Sequence, residues 1–182
     1  MDKNKHLISL DEFLQLARPA SKHIDKDEVE AYIREAEDLH IVPLIGVELF
    51  GVLVSASLSS ELDDNQKTLL RGGVYDDGCG CAKKPCAGLK RAVAYLAYAR
   101  MVAANGGIVT RTGYMAHDDT YSSRVDDKNR ANARRDVQNM ADYYLGQCVE
   151  FYNVTYGASC CGGNGHRGTL VRIKSIGYTP NR

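Results

Sequence analysis

The 182-residue chain has no tryptophan, only three phenylalanines and only four prolines. It also has no excess charge of either sign, because 23 Lys and Arg residues balance 23 Asp and Glu residues. This neutrality gives no electrostatic basis for wrapping nucleic acid, since such binding depends on neutralising phosphates. No segment reaches the roughly 18 consecutive apolar residues that a membrane span needs, so we expect no membrane partner.

The N-terminal sequence MDKNKHLISLDEF lacks the apolar core of a signal peptide. We therefore expect a soluble, intracellular protein. In that compartment its six cysteines should be mostly reduced, or metal-bound, rather than joined in a disulfide framework. The length predicts one domain, or one domain with appendages, and a hydrophobic fraction of 44% predicts a folded chain.

Local signals predict two helices near the N-terminus. Ser9 and Glu12 fit a capping box that opens a short helix through about Ala17. An acidic start at residues 25–28 opens the second helix. Its apolar residues fall on one stripe at helical spacing: Val29, Tyr32, Ile33, Ala36 and Leu39.

Pro43 is predicted to end this second helix, because it lacks an N–H group and disfavours helical geometry at Val42. It can then stand in the first turn of a third helix, together with Gly46. The third helix is apolar on nearly every side, so we expect it to be central in the core or in an interface. Its apolar residues are Leu44, Ile45, Val47, Leu49, Phe50, Val52 and Leu53.

The rest of the chain gives further helix, loop and strand signals. They predict a helix at 62–70 that has an acidic start at Asp63 and Asp64 and is stopped by the glycines at 72–73. They also predict a cysteine-bearing loop at 78–88, a helix at 88–104, a strand or hairpin arm at 108–116, a helix at 126–152 and a strand at 169–176. The helix at 126–152 is expected to be roughly 40 Å long. Its predicted buried stripe is Ala133, Val137, Met140, Tyr144, Cys148 and Phe151.

Together these signals predict a mainly α fold: a helical bundle with a long C-terminal helix and a small β arm or hairpin. Residues 1–155 are expected to form this helical domain. Residues 156–182 are expected to be a glycine-rich linker followed by a basic C-terminal tail.

A zinc site is the first candidate for chemistry. Two loops carry possible ligands, namely Cys79, Cys81, Cys86, Cys160, Cys161 and His166. Zinc needs four nitrogen or sulfur ligands in a tetrahedron, and two loops together could supply them. The spacing is CxC and CC rather than paired CxxC, so loop thiols without metal are the competing interpretation. Cys148 lies on an apolar stripe, where a free thiol behaves as a small hydrophobe.

The triplet His117, Asp118 and Asp119 is the second candidate, for a metal-dependent hydrolase. That chemistry needs further His and Asp ligands on rigid elements, and no upstream His lies in a matching context. A solvated turn, in which the Asp side chains make local bonds, is the favoured interpretation. The basic start of the long helix, with Arg134 and Arg135 interleaved with Asp residues, indicates an ion-paired solvated face.

The strongest pattern is the run AEDLHIVPLIGVELFGVL at residues 36–53. It resembles the sequence I-x-P-x-[IL]-G-x-x-L-[YF]-x-x-L of tailed-bacteriophage head–tail connector (adaptor) proteins. The order downstream is also similar: GLKRAVAYLAYARMVAANG, then VTRTGYM, then YSSRVDDKNRANARRDVQNMADYYL. The similarity extends over roughly residues 25–152, except for the cysteine loop.

The resemblance implies a structural subunit without catalysis or cofactor. Copies would form a ring under the portal protein, extend a channel through which DNA passes without sequence-specific binding, and dock a tail-completion protein. The resemblance places such a subunit in the bacterial cytoplasm during assembly and later in the virion. We expect self-packing by Pro43, Leu44, Ile45, Gly46, Leu49, Phe50 and Tyr95. We expect partner docking by the 110–115 arm with Thr110 and Tyr114, and by the basic tail with Arg172 and Lys174. The alternative function is a small zinc-stabilised protein-binding module.

Overall fold

The structure, a computed structural model, describes residues 6–18, 25–56, 62–77, 83–104, 108–110, 113–115 and 127–157. The first helix, α1, covers Leu10–Leu16. The predicted capping box is present, because the Ser9 hydroxyl accepts from the Glu12 N–H at 3.2 Å and the Ser9 N–H donates to the Glu12 carboxylate at 3.0 Å. The two reciprocal bonds satisfy backbone donors that the helix itself leaves free.

Helix α2 covers Lys26–Ala36, and a single π turn follows at Glu37–Ile41. Helix α3, Val42–Ile45, continues directly from the π turn. Helix α4, Val47–Ala56, begins beyond Gly46, and its direction differs by 117° from that of residues 26–45. The prediction that Pro43 ends the helix is therefore wrong, since the chain stays helical through Pro43 and turns at Gly46.

Helix α5, Asp64–Arg71, has the predicted acidic start, in which the Asp63 carboxylate accepts from the Gln66 N–H at 2.6 Å. It ends at Gly72. Strands β1 (Gly73–Tyr75) and β2 (Lys84–Cys86) then pair antiparallel, with Val74 opposite Pro85. The prediction of a loop at 78–88 is wrong for residues 84–86, because these residues form strand β2.

Helix α6, Leu89–Ala104, is the centre of the molecule. It packs against α1, α2, α5 and the long C-terminal helix α7, Asp127–Thr155. Its buried side chains point in all directions: Leu89, Ala92, Val93, Ala94, Leu96, Ala97, Ala99 and Met101. The many alanines allow neighbouring helices to approach on several sides at once, because a small side chain keeps the helix axes close.

Helix α7 has 29 residues, so it is about 44 Å long at 1.5 Å per residue. Its buried residues are Val137, Ala141, Leu145, Cys148, Val149 and Phe151. Met140 and Tyr144 of the predicted stripe are partly buried, whereas Ala133 is exposed. The prediction for Ala133 is wrong because residues 131–136 are all exposed, so this part of α7 carries no buried stripe.

A second antiparallel hairpin joins β3, Ile108–Thr110, to β4, Gly113–Met115. This confirms the predicted arm and, with the helices, the mainly α fold with a small β component. The predicted strand at 169–176 and nearly all of the predicted linker and tail at 156–182 lie outside the described residues. Within the described ranges, no single helix is long and apolar enough to cross a membrane, and the bent pair 26–45 and 47–55 meets that test only when both arms are counted together.

Candidate assembly surface

The π turn after α2 changes which residues face the core. In a π turn the hydrogen bond spans five residues instead of four, as the Val42 N–H shows by donating to the Glu37 carbonyl. The extra residue moves the buried stripe from Ala36 to Ile41, which is completely buried. Leu39, predicted on the stripe, is instead 64% exposed. That prediction is wrong because it assumed an uninterrupted α-helical period.

Glu37 is the one buried charged residue in the described part of the chain. Its carboxylate accepts from the Leu7 N–H at 2.6 Å and lies 2.7 Å from His6 Nδ1. A buried carboxylate needs such partners, since an unpaired one is strongly destabilising. These bonds fasten the segment before α1 to the π turn. The sequence carried a signal for the burial of Glu37, because this residue stands four residues from Ile33 and four from Ile41, among apolar positions.

The π turn also explains how Pro43 is accommodated. In a regular α-helix the proline ring would collide with the carbonyl four residues earlier and leave that carbonyl without a donor. The wider turn immediately before it relieves this conflict, so Pro43 occupies the first turn of α3. Pro43 is exposed, whereas the neighbouring Leu44 and Ile45 are buried.

Gly46 makes the turn into α4 with φ +80° and ψ 157°. This combination is essentially restricted to glycine. A Cβ built on Gly46 would meet nothing within 4 Å, so the requirement for glycine comes from the backbone conformation and not from lack of space. The Gly46 N–H still donates to the Val42 carbonyl at 2.9 Å, and its carbonyl accepts from the Phe50 N–H at 3.1 Å.

We use the name apolar corner for the exposed apolar residues on either side of this turn: Leu39, Pro43, Val47 and Val52. Val47 is 73% exposed and Val52 is 47% exposed. Leu49 and Phe50 are partly buried, and Leu53 anchors α4 by complete burial. The sequence alone allowed two locations for this helix: the core of the chain or an interface with another chain. The structure places this helix partly in the core: Leu53 lies in the core with Leu49 and Phe50 packed against it, whereas Val47 and Val52 are exposed.

A polar cluster lies beside the apolar corner. Arg100 of α6 donates through Nη2 to His40 Nε2 at 3.0 Å and through Nη1 to the Leu96 carbonyl at 3.2 Å, and its Nε lies 3.4 Å from the Glu35 carboxylate. Burial, and then the positive charge of Arg100, lower the pKa of His40, while Asp142 opposes this shift. His40 is therefore neutral, as its role as an acceptor from Arg100 also requires.

The other residues predicted for packing or docking lie in elements other than the turn at Gly46 and its flanking helices, or outside the described residues. Tyr95 is partly buried, and its ring meets that of Tyr144 edge to face with centroids 5.0 Å apart, so it joins α6 to α7 inside the chain. Thr110 and Tyr114 lie in β3 and β4 respectively. Arg172 and Lys174 lie outside the described residues.

Only one of the predicted zinc ligands, Cys86, lies among the described residues. Cys86 lies in β2, where it is buried and interacts with the side chain of Cys148 in α7. The other predicted ligands, Cys79, Cys81, Cys160, Cys161 and His166, lie outside the described residues, as do His117, Asp118 and Asp119. Across the ranges that the structure describes, no three His, Cys, Asp or Glu side chains form a group that could hold a metal ion.

Comparison with known proteins places the chain in a family. A family model described as "Family of unknown function (DUF6712)" matches residues 41–164, from the last residue of the π turn through α7. No curated protein and no solved structure matches the chain. Because the matched region covers more than half of the sequence, this protein belongs to the DUF6712 family.

Proposed function

We propose that this protein is a structural subunit that acts by assembly, as the head–tail connector of a tailed bacteriophage or prophage. In this function it binds copies of itself, the portal protein above it and a tail-completion protein below it. It forms part of the wall of a channel through which DNA passes without sequence-specific contact.

The observation that carries the proposal is the apolar corner. Val47 and Leu39 are both more than 60% exposed, and both lie on helices next to the 117° turn. Exposed apolar surface marks sites of association, because burying it against a partner removes it from water. These residues lie within the run at 36–53 that resembles the connector proteins.

The charges on α2 and on the early part of α7 support contact between unlike surfaces of neighbouring copies. The exposed face of α2 and of the π turn after it is predominantly acidic, with Asp27, Glu28, Glu30, Glu35 and Asp38. The exposed early part of α7 carries Arg134 and Arg135. An interface between two different surfaces of the same chain repeats from copy to copy, and it closes into a ring when the rotation allows. Complementary charge would set the orientation of that contact.

The test is binding to the portal protein encoded beside this chain. We expect the wild-type protein to form a complex of many subunits with that portal, detectable by size-exclusion chromatography with light scattering. Val47→Glu should weaken the complex about tenfold or more, because a carboxylate buried in an apolar contact loses its hydration.

Val74→Glu is the matched control. Val74 is 64% exposed but lies on β1, away from the apolar corner, so the same substitution there should leave the complex unchanged. Circular dichroism of both variants excludes misfolding as the cause. Absence of any complex between the wild-type protein and its portal would overturn the proposal. Equal weakening by both variants would remove the apolar corner as the binding surface.

A further inference from the structure

Two buried thiols meet between the first hairpin and the long helix. Cys86 ends β2 and is 4% exposed, while Cys148 lies within α7 and is fully buried. Both are free cysteines, and their side chains interact with each other where β2 packs on α7. They come from distant parts of the sequence, so their meeting results from the tertiary fold alone.

Two contacts between the hairpin and α7 fix the positions of these thiols. The Lys84 ammonium group donates to the Glu150 carboxylate at 2.6 Å. The rings of Tyr75 and Phe151 meet edge to face with centroids 4.9 Å apart. Each contact joins a residue of one strand to a residue within one helical turn of Cys148. The hairpin is therefore held against α7 in one register.

The backbone beside Cys86 is equally constrained. Gly88 has φ +86°, and a Cβ on it would come within 2.4 Å of the Gly72 nitrogen. A Cβ on Gly72 would in turn come within 2.7 Å of the Ala87 carbonyl oxygen. This close approach of two glycines fixes the chain between Cys86 and α6.

We propose that Cys86 and Cys148 are a redox couple, which oxidation closes into a disulfide linking β2 to α7. The device joins elements of the fold that only non-covalent contacts otherwise hold together. It is independent of the connector function and concerns the stability of the subunit when it meets an oxidising environment.

The oxidant is a small disulfide, such as oxidised glutathione. The Cys86 thiolate attacks one sulfur of glutathione disulfide, so that a Cys86–glutathione bond forms and one glutathione thiolate leaves. The sulfur of Cys148 then attacks the Cys86 sulfur, the protein disulfide forms, and the second glutathione leaves. The two protein thiols are oxidised, the glutathione disulfide is reduced, and the two thiol protons end on the two glutathione molecules.

The place of each cysteine in the fold assigns it a role in this exchange. Cys86 lies in a short hairpin strand, whereas Cys148 is fully buried within α7. Cys86 is therefore the first nucleophile and Cys148 the residue that resolves the mixed disulfide. The interaction with Cys148 also lowers the pKa of Cys86, although burial opposes the shift.

Oxidants reach Cys86 by local opening of the hairpin. Strands β1 and β2 pair over only three residues each, and Val74 and Pro85 in them are exposed. Short, exposed pairings open more readily than the core of a protein does. Cys148, deep in α7, needs no access of its own, because it reacts only with the sulfur of Cys86.

The experiment uses the full chain with the other four cysteines replaced, as Cys79→Ser, Cys81→Ser, Cys160→Ser and Cys161→Ser. Under native conditions, incubation with oxidised glutathione should consume both remaining thiols and lower the mass of the chain by two hydrogen atoms. Peptide mapping should recover a linked pair of peptides that contain Cys86 and Cys148. The closed loop of about 60 residues should raise the melting temperature by about 5–10 °C over the reduced protein.

The matched control adds Cys148→Ala to the same background. Without the resolving thiol, this variant should accumulate one glutathione bound to Cys86 and show no such rise in melting temperature. Where the four-serine background folds poorly, peptide mapping of the oxidised wild-type chain gives the same answer. Two thiols that stay free in the native protein but react after unfolding would overturn the proposal. A stable mixed disulfide in the presence of Cys148 would overturn it as well.

Discussion

Helices α4 and α6 are both rich in apolar residues, yet the fold uses them in opposite ways. Helix α6 is buried on nearly every side and is packed against four other helices. Helix α4 is anchored by Leu53 and exposes Val47 and Val52. Apolar composition therefore does not decide which helix becomes the core. The difference lies in side-chain size and in the turn that precedes each helix.

Alanine is the residue that makes α6 central. Four of its buried residues, Ala92, Ala94, Ala97 and Ala99, let the backbones of neighbouring helices come close without large side chains between them. Helix α4 has larger residues on its exposed face, and the turn at Gly46 directs it away from the axis of α2 and α3. Its free apolar surface is therefore available to a partner.

The largest expected effect comes from removing bulk from the buried helix. Leu96→Ala in α6 should lower the free energy of unfolding by about 2–5 kcal/mol, because it loses apolar burial and leaves a cavity. Val52→Ala in α4 should change it by less than about 0.5 kcal/mol, since that side chain is already largely in water. Urea denaturation measures both values. Similar losses for the two variants would mean that α4 belongs to the core after all.

A smaller effect is expected from the turn at Gly46, which lies between α3 and α4. Gly46→Ala should destabilise the protein by about 1–3 kcal/mol, because alanine cannot adopt this backbone conformation without strain. Gly51→Ala is the matched control, since Gly51 is helical and a Cβ there meets nothing within 4 Å. It should stabilise the protein by about 0.5–1 kcal/mol. Thermal melts distinguish the two signs, and a neutral Gly46→Ala would show that the turn tolerates other conformations.

The smallest effect concerns the polar cluster that joins the π turn to α6. The pKa of His40 is lowered in the folded protein, chiefly by burial and then by Arg100, from the usual value of 6.5. The unfolded chain therefore binds a proton at a higher pH than the folded one does. It follows that stability falls as the pH drops below 6.5, and the loss is complete below the lowered pKa of the folded state.

His40→Gln tests this point, because glutamine has no proton to gain but can still accept from Arg100 through its carbonyl oxygen. The variant should lose less stability than the wild type when urea denaturation is repeated at about pH 5.5 instead of about pH 7.5. Equal losses in the two proteins would assign the acid sensitivity to other groups.

The features that sequence predicted correctly are those set by neighbouring residues. The capping box at Ser9 and the acidic helix start at Asp63 were readable because the bonds of such a cap span three residues. The glycine stop after α5, the hairpin arm and the long C-terminal helix were predicted for similar reasons. Each depends on a local pattern that needs no knowledge of the rest of the fold.

The features that were missed depend on distant contacts. The strand at 84–86 exists because β1 pairs with it. Cys86 comes close to Cys148 only because β2 packs on α7. The π turn depends in part on Glu37, whose carboxylate is satisfied by a segment about thirty residues earlier. The candidate site was predictable only in its place along the chain: of the four residues of the apolar corner, Pro43 alone was among those predicted for packing, and the turn was placed at Pro43 instead of Gly46.

The π turn means that the direction of the apolar corner is encoded by a count of residues as well as by their identity. Each residue of an α-helix advances the chain by about 100° around the axis. Deleting one residue between Glu37 and Ile41 would restore an ordinary helical period and rotate everything downstream by that angle. Helix α4 would then point in a different direction around the axis of α2, together with Pro43 and Gly46. The remaining side chains would be the same. A single insertion event is thus sufficient to re-aim a binding surface on an otherwise constant scaffold.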